Sequence, residues 1–307
     1  MKNIGIIGSG AFGCALGHTF SKNNNVIFWS FTEEELNSIN NNHCCLAVPS
    51  IKLNNSTKAS LNLEEVINSS DILVLVTPSN TIRKMCQEVK KYYKNQDILL
   101  ASKGMENDKL LSVVIKEELG IDASVIMGPS FAEEIGEDVP TFVELSGNKE
   151  LVDILSNDTF KVTYNNDNIG LQVGGALKNV VTVASGLVEG LGYKVNTTSY
   201  IITEGLNEIK EIGMKLGAKE STFYGLSGLG DLYGTSLSNK SRNKRAGILI
   251  GQGKSLNEVY SEVGTTIEGL DTVKDAKYLI DKYNLNCPLI NNLYEILFNN
   301  KDKESIF

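Results

Sequence analysis

At 307 residues, with 41% apolar residues and only five prolines, the chain has the composition of a folded protein of two domains rather than of a disordered segment. Its net charge of −8 excludes a nonspecific binder of polyanions, so an anionic ligand has to be held by a few placed cations. The five cysteines, Cys14, Cys44, Cys45, Cys86 and Cys287, are odd in number and include no Cys-x-x-Cys pair, which reads as reduced thiols in a cytoplasm.

The N-terminus enters an apolar run after Lys2 with no cleavage region, so no export signal is expected. Through about residue 145, short apolar runs alternate with helical patterns, the mark of an α/β, doubly wound and mostly parallel sheet with helices on both faces. The predicted strands are Asn3 to Ile7, Val26 to Trp29, Ile72 to Val76, Ile98 to Ala101, Val125 to Met127 and Thr141 to Leu145.

The first strand runs into Gly8-Ser9-Gly10-Ala11-Phe12-Gly13 and then a helical pattern, which is GxGxxG in the strand–turn–helix setting that a dinucleotide requires. Gly8 permits the turn, Gly10 lets backbone amides approach a pyrophosphate, and Gly13 lets the helix pack on the sheet. A bare α/β turn that binds nothing is the competing reading. The second strand ends in Trp29-Ser30-Phe31-Thr32-Glu33, with neither a terminal acid for the ribose of NAD nor an arginine for the 2′-phosphate of NADP. Glu33 or Glu34 can serve as the ribose partner or simply begin a solvated helix, so NAD and NADP both stay open.

Ligands of such sheets lie beyond the carboxyl ends of the strands. Three later strands end there in Thr77-Pro78-Ser79, Ser102-Lys103-Gly104 and Gly128-Pro129-Ser130-Phe131-Ala132, each of which an ordinary cap also explains.

From about Asn165 onward the pattern becomes long helices, including Ile169 to Val188, Asn196 to Leu216 and Thr266 to Tyr283, so an all-α second domain is expected. We place the division at 1–160 and 161–307, within a boundary window from about Lys149 to Asp167. The run Ile169 to Val188 contains Gln172, Lys178 and Asn179 and is expected to be a buried helix, with no membrane span. Lys178 is the only formal charge between Gly170 and Val188. Its ammonium must snorkel to water or face a polar cavity. The second option suits carbonyl reduction, which needs a proton donor, and the chain's two histidines, His18 and His43, read as structural. Farther on, Asp231 can pair with Lys178 or cap a helix, and Arg242 can clamp a phosphate or lie on a solvated face.

Taken together, the glycine turn, Ser102-Lys103-Gly104, Gly128-Pro129-Ser130, Gly174-Gly175-Ala176-Leu177-Lys178-Asn179, Gly228-Leu229-Gly230-Asp231, Ser241-Arg242-Asn243 and Glu268-Gly269 give a chain that resembles the bacterial NAD(P)-dependent glycerol-3-phosphate dehydrogenases. The resemblance implies hydride exchange between a nicotinamide and dihydroxyacetone phosphate or sn-glycerol 3-phosphate, supplying glycerol phosphate for phospholipid synthesis. It implies Lys178 as the acid/base, with Lys103, Gly128, Ser130, Lys178, Asp231, Ser241, Arg242 and Asn243 around the substrate. Around the cofactor it implies Gly8, Ser9, Gly10, Ala11, Phe12, Gly13, Phe31, Lys103, Ala132, Arg242, Thr266 and Glu268. Ala11, Phe12, Phe31 and Thr32 depart from residues common in the family, which bears on the choice of NAD or NADP. The chain also stops at Phe307, somewhat short of many relatives. No metal and no nucleic acid are expected, and a homodimer is compatible with the sequence. Two rivals share the plan: a ketopantoate or hydroxyacid reductase of the same architecture, and a dinucleotide sensor without catalysis.

Overall fold

The structure is a computed structural model that describes residues 1–264 and 266–307. Ten strands and fourteen α-helices are present among these residues. They divide into two compact units, Met1–Lys103 with Leu111–Asn168, and Gly104–Leu110 with Ile169–Phe307.

The first unit is built on an eight-stranded sheet. Its strands are β1 (Asn3–Ile7), β2 (Asn25–Trp29), β3 (Lys58–Ser60), β4 (Ile72–Leu75), β5 (Asp97–Leu100), β8 (Ser124–Met127), β9 (Thr141–Ser146) and β10 (Phe160–Tyr164); β6 (Met105–Glu106) and β7 (Lys109–Leu110) form a separate hairpin in the second unit. The order is β10-β9-β8-β5-β4-β1-β2-β3. All pairings are parallel except β8 with β9, so β9 and β10 run against the rest. The central strand β4 is buried at every residue, which accounts for its unbroken Ile-Leu-Val-Leu run. Helices α1 (Ala11–Phe20), α2 (Glu33–Asn40), α3 (Leu63–Asn68), α4 (Ile82–Lys90), α5 (Leu111–Leu119), α6 (Ala132–Gly136) and α7 (Leu151–Leu155) accompany it. All six predicted strands form within a residue or so of their expected bounds, while β3, β10 and the short β6 and β7 are additions.

The second unit holds α8 (Asn168–Gly190, from Ile169), α9 (Val195–Lys215), α10 (Asp231–Leu237), α11 (Arg242–Gly251), α12 (Leu256–Val263), α13 (Glu268–Tyr283) and α14 (Pro288–Phe298). Helix α8 is buried without a break from Gly170 to Val188, which explains why its apolar residues circle the whole helix. By length and hydropathy it could cross a membrane, yet its whole apolar window is buried in the protein. Helix α14 starts at Pro288, and the buried carboxylate of Glu208 on α9 accepts the Leu289 and Ile290 N–H groups at 2.7 and 2.8 Å. The compact units divide the chain a little later than the expected boundary. The division at residue 160 falls inside β10, which is hydrogen-bonded along β9, and the units part at Asn168 and Ile169 instead. The C-terminal region from Ile169 is all helical among the described residues, as expected, and the β6–β7 hairpin from earlier in the chain adds Met105 and Leu110 to its core.

Candidate functional site

In the first unit, the three glycines after β1 answer to different constraints. Gly8 has φ +120°, and a Cβ there would lie 3.2 Å from the Val76 carbonyl oxygen. A Cβ on Gly13 would lie 2.1 Å from the Gly8 carbonyl oxygen, so the packing of α1 against the turn demands glycine. Gly10 is different: its φ of −69° suits any residue, and a Cβ on it meets nothing within 4 Å. Nothing inside the chain requires glycine at 10, whereas a pyrophosphate lying against the backbone does. No side chain caps α1 at Gly10, and no acidic residue occupies its first turn, which begins Ala11-Phe12-Gly13. The N–H groups and positive end of the helix dipole therefore face that open space without a competing carboxylate. The residues fit a dinucleotide.

Around this turn the strand ends bring together several of the predicted residues. Ser102 donates from Oγ to the Thr77 carbonyl at 2.6 Å, fixing the turn that carries Lys103. Lys103 Nζ donates to the Gly128 carbonyl at 3.1 Å and stands 6.0 Å from the centre of the Phe12 ring. Ser130 Oγ donates to the same carbonyl at 2.9 Å. Gly128 has φ +143°, and a Cβ there would press on Val143 Cα at 3.1 Å. Ala132 opens α6 just beyond. At the end of β2, Phe31 is 80% exposed and meets Trp29 edge-on. Glu33 and Glu34 are exposed on the first turn of α2 and engage nothing in the turn after β2. The carboxylate that works there is Glu35, which sequence reasoning passed over: its Oε2 accepts from Ser9 Oγ at 3.0 Å, Phe31 N at 2.9 Å and Thr32 N at 3.3 Å. The spacing of Thr32 and Glu35 as a capping box was the available signal.

The second unit assembles the remaining residues around α8. Lys178 is 6% exposed, and its Nζ donates to Asp231 Oδ1 at 2.5 Å and to Thr235 Oγ1 at 2.8 Å. Thr235 also donates to Asp231 at 3.2 Å, so the ammonium, carboxylate and hydroxyl form a closed triangle. Close approach of Gly174 to the Ser227–Gly228 backbone sets its position. A Cβ on Gly174, one turn before Lys178, would lie 2.6 Å from the Ser227 carbonyl oxygen, one turn before Asp231. Residues Leu226–Gly230 form a π-helical turn that feeds Asp231 into the start of α10, and Asp231 is 2% exposed. Thr235 follows Asp231 by four residues and so shares its helix face, the clue that could have named it.

A second backbone contact fixes Ser241-Arg242-Asn243. Gly186 and Gly190 of α8 meet Gly247 and Gly251 of α11 so closely that a Cβ on any of the four would lie 2.1–2.4 Å from a carbonyl oxygen of the other helix. Ser241 caps α11 through Lys244 N, and Arg242 is exposed at its first position. Among the described residues no carboxylate or carbonyl holds the Arg242 guanidinium. Asn243 accepts from Gly269 N at 2.9 Å and donates to Asn179 Oδ1 at 2.9 Å, while Asn179 donates to Glu268 Oε2 at 3.0 Å. Asn243 and Glu268 thus fasten the start of α13, and half-buried Thr266 precedes it. Asn179, next to Lys178 in sequence, was not singled out. Of the histidines, His18 lies against the Lys52 carbonyl and Asp138, a structural position. No cluster able to hold a metal occurs among the described residues.

Chemically, the first unit can cradle an anionic dinucleotide and offers a lysine beside it, and the second offers a buried ammonium and an exposed guanidinium. Residues 3–152 match the N-terminal part, and residues 167–307 the C-terminal part, of the NAD-dependent glycerol-3-phosphate dehydrogenase family. A protein of Fusobacterium nucleatum named glycerol-3-phosphate dehydrogenase [NAD(P)+] is 42% identical, with 98% of this chain and 94% of that protein covered. One of the same name from Clostridium botulinum is 38% identical, over 99% and 96%. The crystal structure of a glycerol-3-phosphate dehydrogenase from Coxiella burnetii superposes with a TM-score of 0.94 at 30% identity, covering 99% and 97% of the two chains. With both halves matched and relatives of this identity aligned end to end, the chain belongs to the NAD-dependent glycerol-3-phosphate dehydrogenase family.

Proposed function

We propose that this protein is an NAD(P)-dependent sn-glycerol-3-phosphate dehydrogenase that interconverts dihydroxyacetone phosphate and sn-glycerol 3-phosphate. The observation that carries the proposal is the Lys178 ammonium, buried yet held by Asp231 and Thr235. Gly8, Gly10, Gly13 and the uncapped start of α1 would hold the nicotinamide dinucleotide, which when bound would supply or accept the hydride for substrate C2. Lys178 delivers a proton from Nζ to the ketone oxygen in reduction and withdraws it in oxidation. Asp231 and Thr235 hold that nitrogen in one place and balance its charge, so no reorganisation accompanies the proton's movement. Arg242, first in α11 and free of internal carboxylates among the described residues, pairs with the substrate phosphate, beside the N-terminus that Ser241 caps. Lys103 adds positive charge next to the cofactor, while Gly128 and Ser130 shape the turn it leans on. A role in supplying glycerol phosphate for phospholipid synthesis in the cytoplasm accords with this chemistry and with the five free cysteines.

The direct test follows NADH and NADPH absorbance with dihydroxyacetone phosphate and with a non-phosphorylated 2-ketoacid. Consumption with the phosphate ester alone is the expected result, and consumption with the ketoacid alone would overturn the assignment. Arg242→Ala should raise the KM for dihydroxyacetone phosphate by roughly 10- to 100-fold, the loss of a charge-assisted pair, and leave dinucleotide affinity within about threefold. An unchanged KM places the phosphate elsewhere.

A further inference from the structure

We propose that the turn after β2 selects NAD(H) against NADP(H), with Glu35 as the specificity-determining residue. The inference rests on the dehydrogenase reading above. A dinucleotide whose pyrophosphate lies at the glycine turn extends its adenosine toward the end of the second strand, where the ribose 2′ position meets the β2–α2 turn. A 2′-phosphate there needs N–H donors or cations. The two backbone donors on offer, Phe31 N and Thr32 N, both already point at Glu35 Oε2, at 2.9 and 3.3 Å. The hydroxyl of the glycine turn, Ser9 Oγ, is committed to the same oxygen at 3.0 Å. A phosphate dianion would have to displace a carboxylate from three hydrogen bonds and then lie beside it.

No cation offsets that repulsion in the sequence around the site. The segment from Trp29 to Asn40 contains Glu33, Glu34 and Glu35 and no lysine or arginine. The segment after the neighbouring strand β3, Ser60 to Asn68, contains Glu64 and Glu65 and again no cation. Lys58 pairs in register with Ile27, back from the end of β2. A ribose hydroxyl pair, by contrast, carries donors of its own and is neutral, so it suits a surface of acceptors. The capping box of Thr32 and Glu35 locks the arrangement, because the same side chain that excludes the phosphate also fastens the start of α2.

The test is binding rather than turnover. Trp29, the only tryptophan, ends β2 and donates from Nε1 to the Leu61 carbonyl at 3.2 Å, so its fluorescence reports occupancy of this site. Titration of the full chain with NADH and NADPH should give a Kd at least about 30-fold weaker for NADPH, a loss on the scale of one unmade charge-assisted bond. Glu35→Gln should narrow that ratio by about fivefold or more. Phe31→Arg, which adds a cation at an exposed position of the same turn, should strengthen NADPH by about tenfold relative to NADH. NADPH binding within about threefold of NADH in the unaltered chain overturns the selection. A ratio unmoved by both substitutions overturns the assignment to this turn, and failure of both nucleotides to bind overturns the dehydrogenase reading itself.

Discussion

Replacing Lys178 by methionine tests whether the buried triangle works as described. The substitution keeps the length of the side chain and removes the ammonium from beside the Asp231 carboxylate, which is 2% exposed and also accepts from the Thr235 hydroxyl at 3.2 Å. Breaking a buried ion pair by deleting one partner costs about 3–5 kcal/mol, because the remaining charge is desolvated and uncompensated. For a unit of this size that corresponds to a fall in Tm of roughly 6–20 °C. Adding Asp231→Asn removes the stranded charge, and its amide still accepts from Thr235, so the double variant should recover about 2–3 kcal/mol of the loss. Turnover should not recover with it: both variants lack the proton donor and should fall by about 10²- to 10⁴-fold. Urea melts followed by circular dichroism, paired with NADH consumption on dihydroxyacetone phosphate, separate the two effects. A single-variant loss below about 1 kcal/mol, or a double variant no more stable than the single, refutes the buried pairing. Near-normal turnover in Lys178→Met removes this residue from the chemistry.

Gly10→Ala should leave the urea midpoint unchanged within the equivalent of about 0.5 kcal/mol, since its Cβ enters open space, yet weaken NADH binding measured by Trp29 fluorescence. Gly13→Ala, pressed against the Gly8 carbonyl, should destabilise by more than about 1 kcal/mol, and equal effects from the two would remove the ligand from the explanation. Gly247→Ala should part α8 from α11, costing at least about 1–3 kcal/mol and raising the KM for substrate through Arg242, as kinetics beside a thermal melt would show. Glu208 supplies a pH dependence: burial pushes its carboxyl from 4.5 up to about 7. The unfolded chain then releases this proton near pH 4.5 and the folded chain only near 7, so stability falls as pH rises across that window, by roughly 3 kcal/mol in all. Urea melts of Glu208→Gln at pH 5 and pH 8 should lack this loss, and a pH dependence parallel to that of the unaltered chain would refute it.

Much of this was legible in the sequence, for physical reasons that differ by element. Buried parallel strands such as β4 announce themselves as unbroken apolar runs, and the glycine turn shows because its spacing is dictated by backbone geometry. The strand β3 is hidden because Lys-Ala-Ser has no strand-forming residue and depends on its pairing with β2. β10 carries a readable alternation, Phe160 and Val162 buried with Lys161 and Thr163 exposed, but at four residues it is the shortest alternation that marks a strand and was passed over. Lys178 stood out as a lone charge on an apolar helix, whereas Thr235 and Asn179 are unremarkable until the helices meet. Glu35 was overlooked in favour of Glu33 and Glu34 because three consecutive glutamates differ only in the direction the helix start gives each, which composition does not encode.

The all-round burial of α8 has a consequence for synthesis. On the ribosome this segment emerges before α9 to α14, the helices that later enclose it, so for the time needed to translate over a hundred residues it is a long apolar helix without a cover. Its dwell in that state grows with every pause in translating the C-terminal half. Chains terminated before α13 would expose it permanently, and they should be captured by chaperones or aggregate rather than survive as a working fragment.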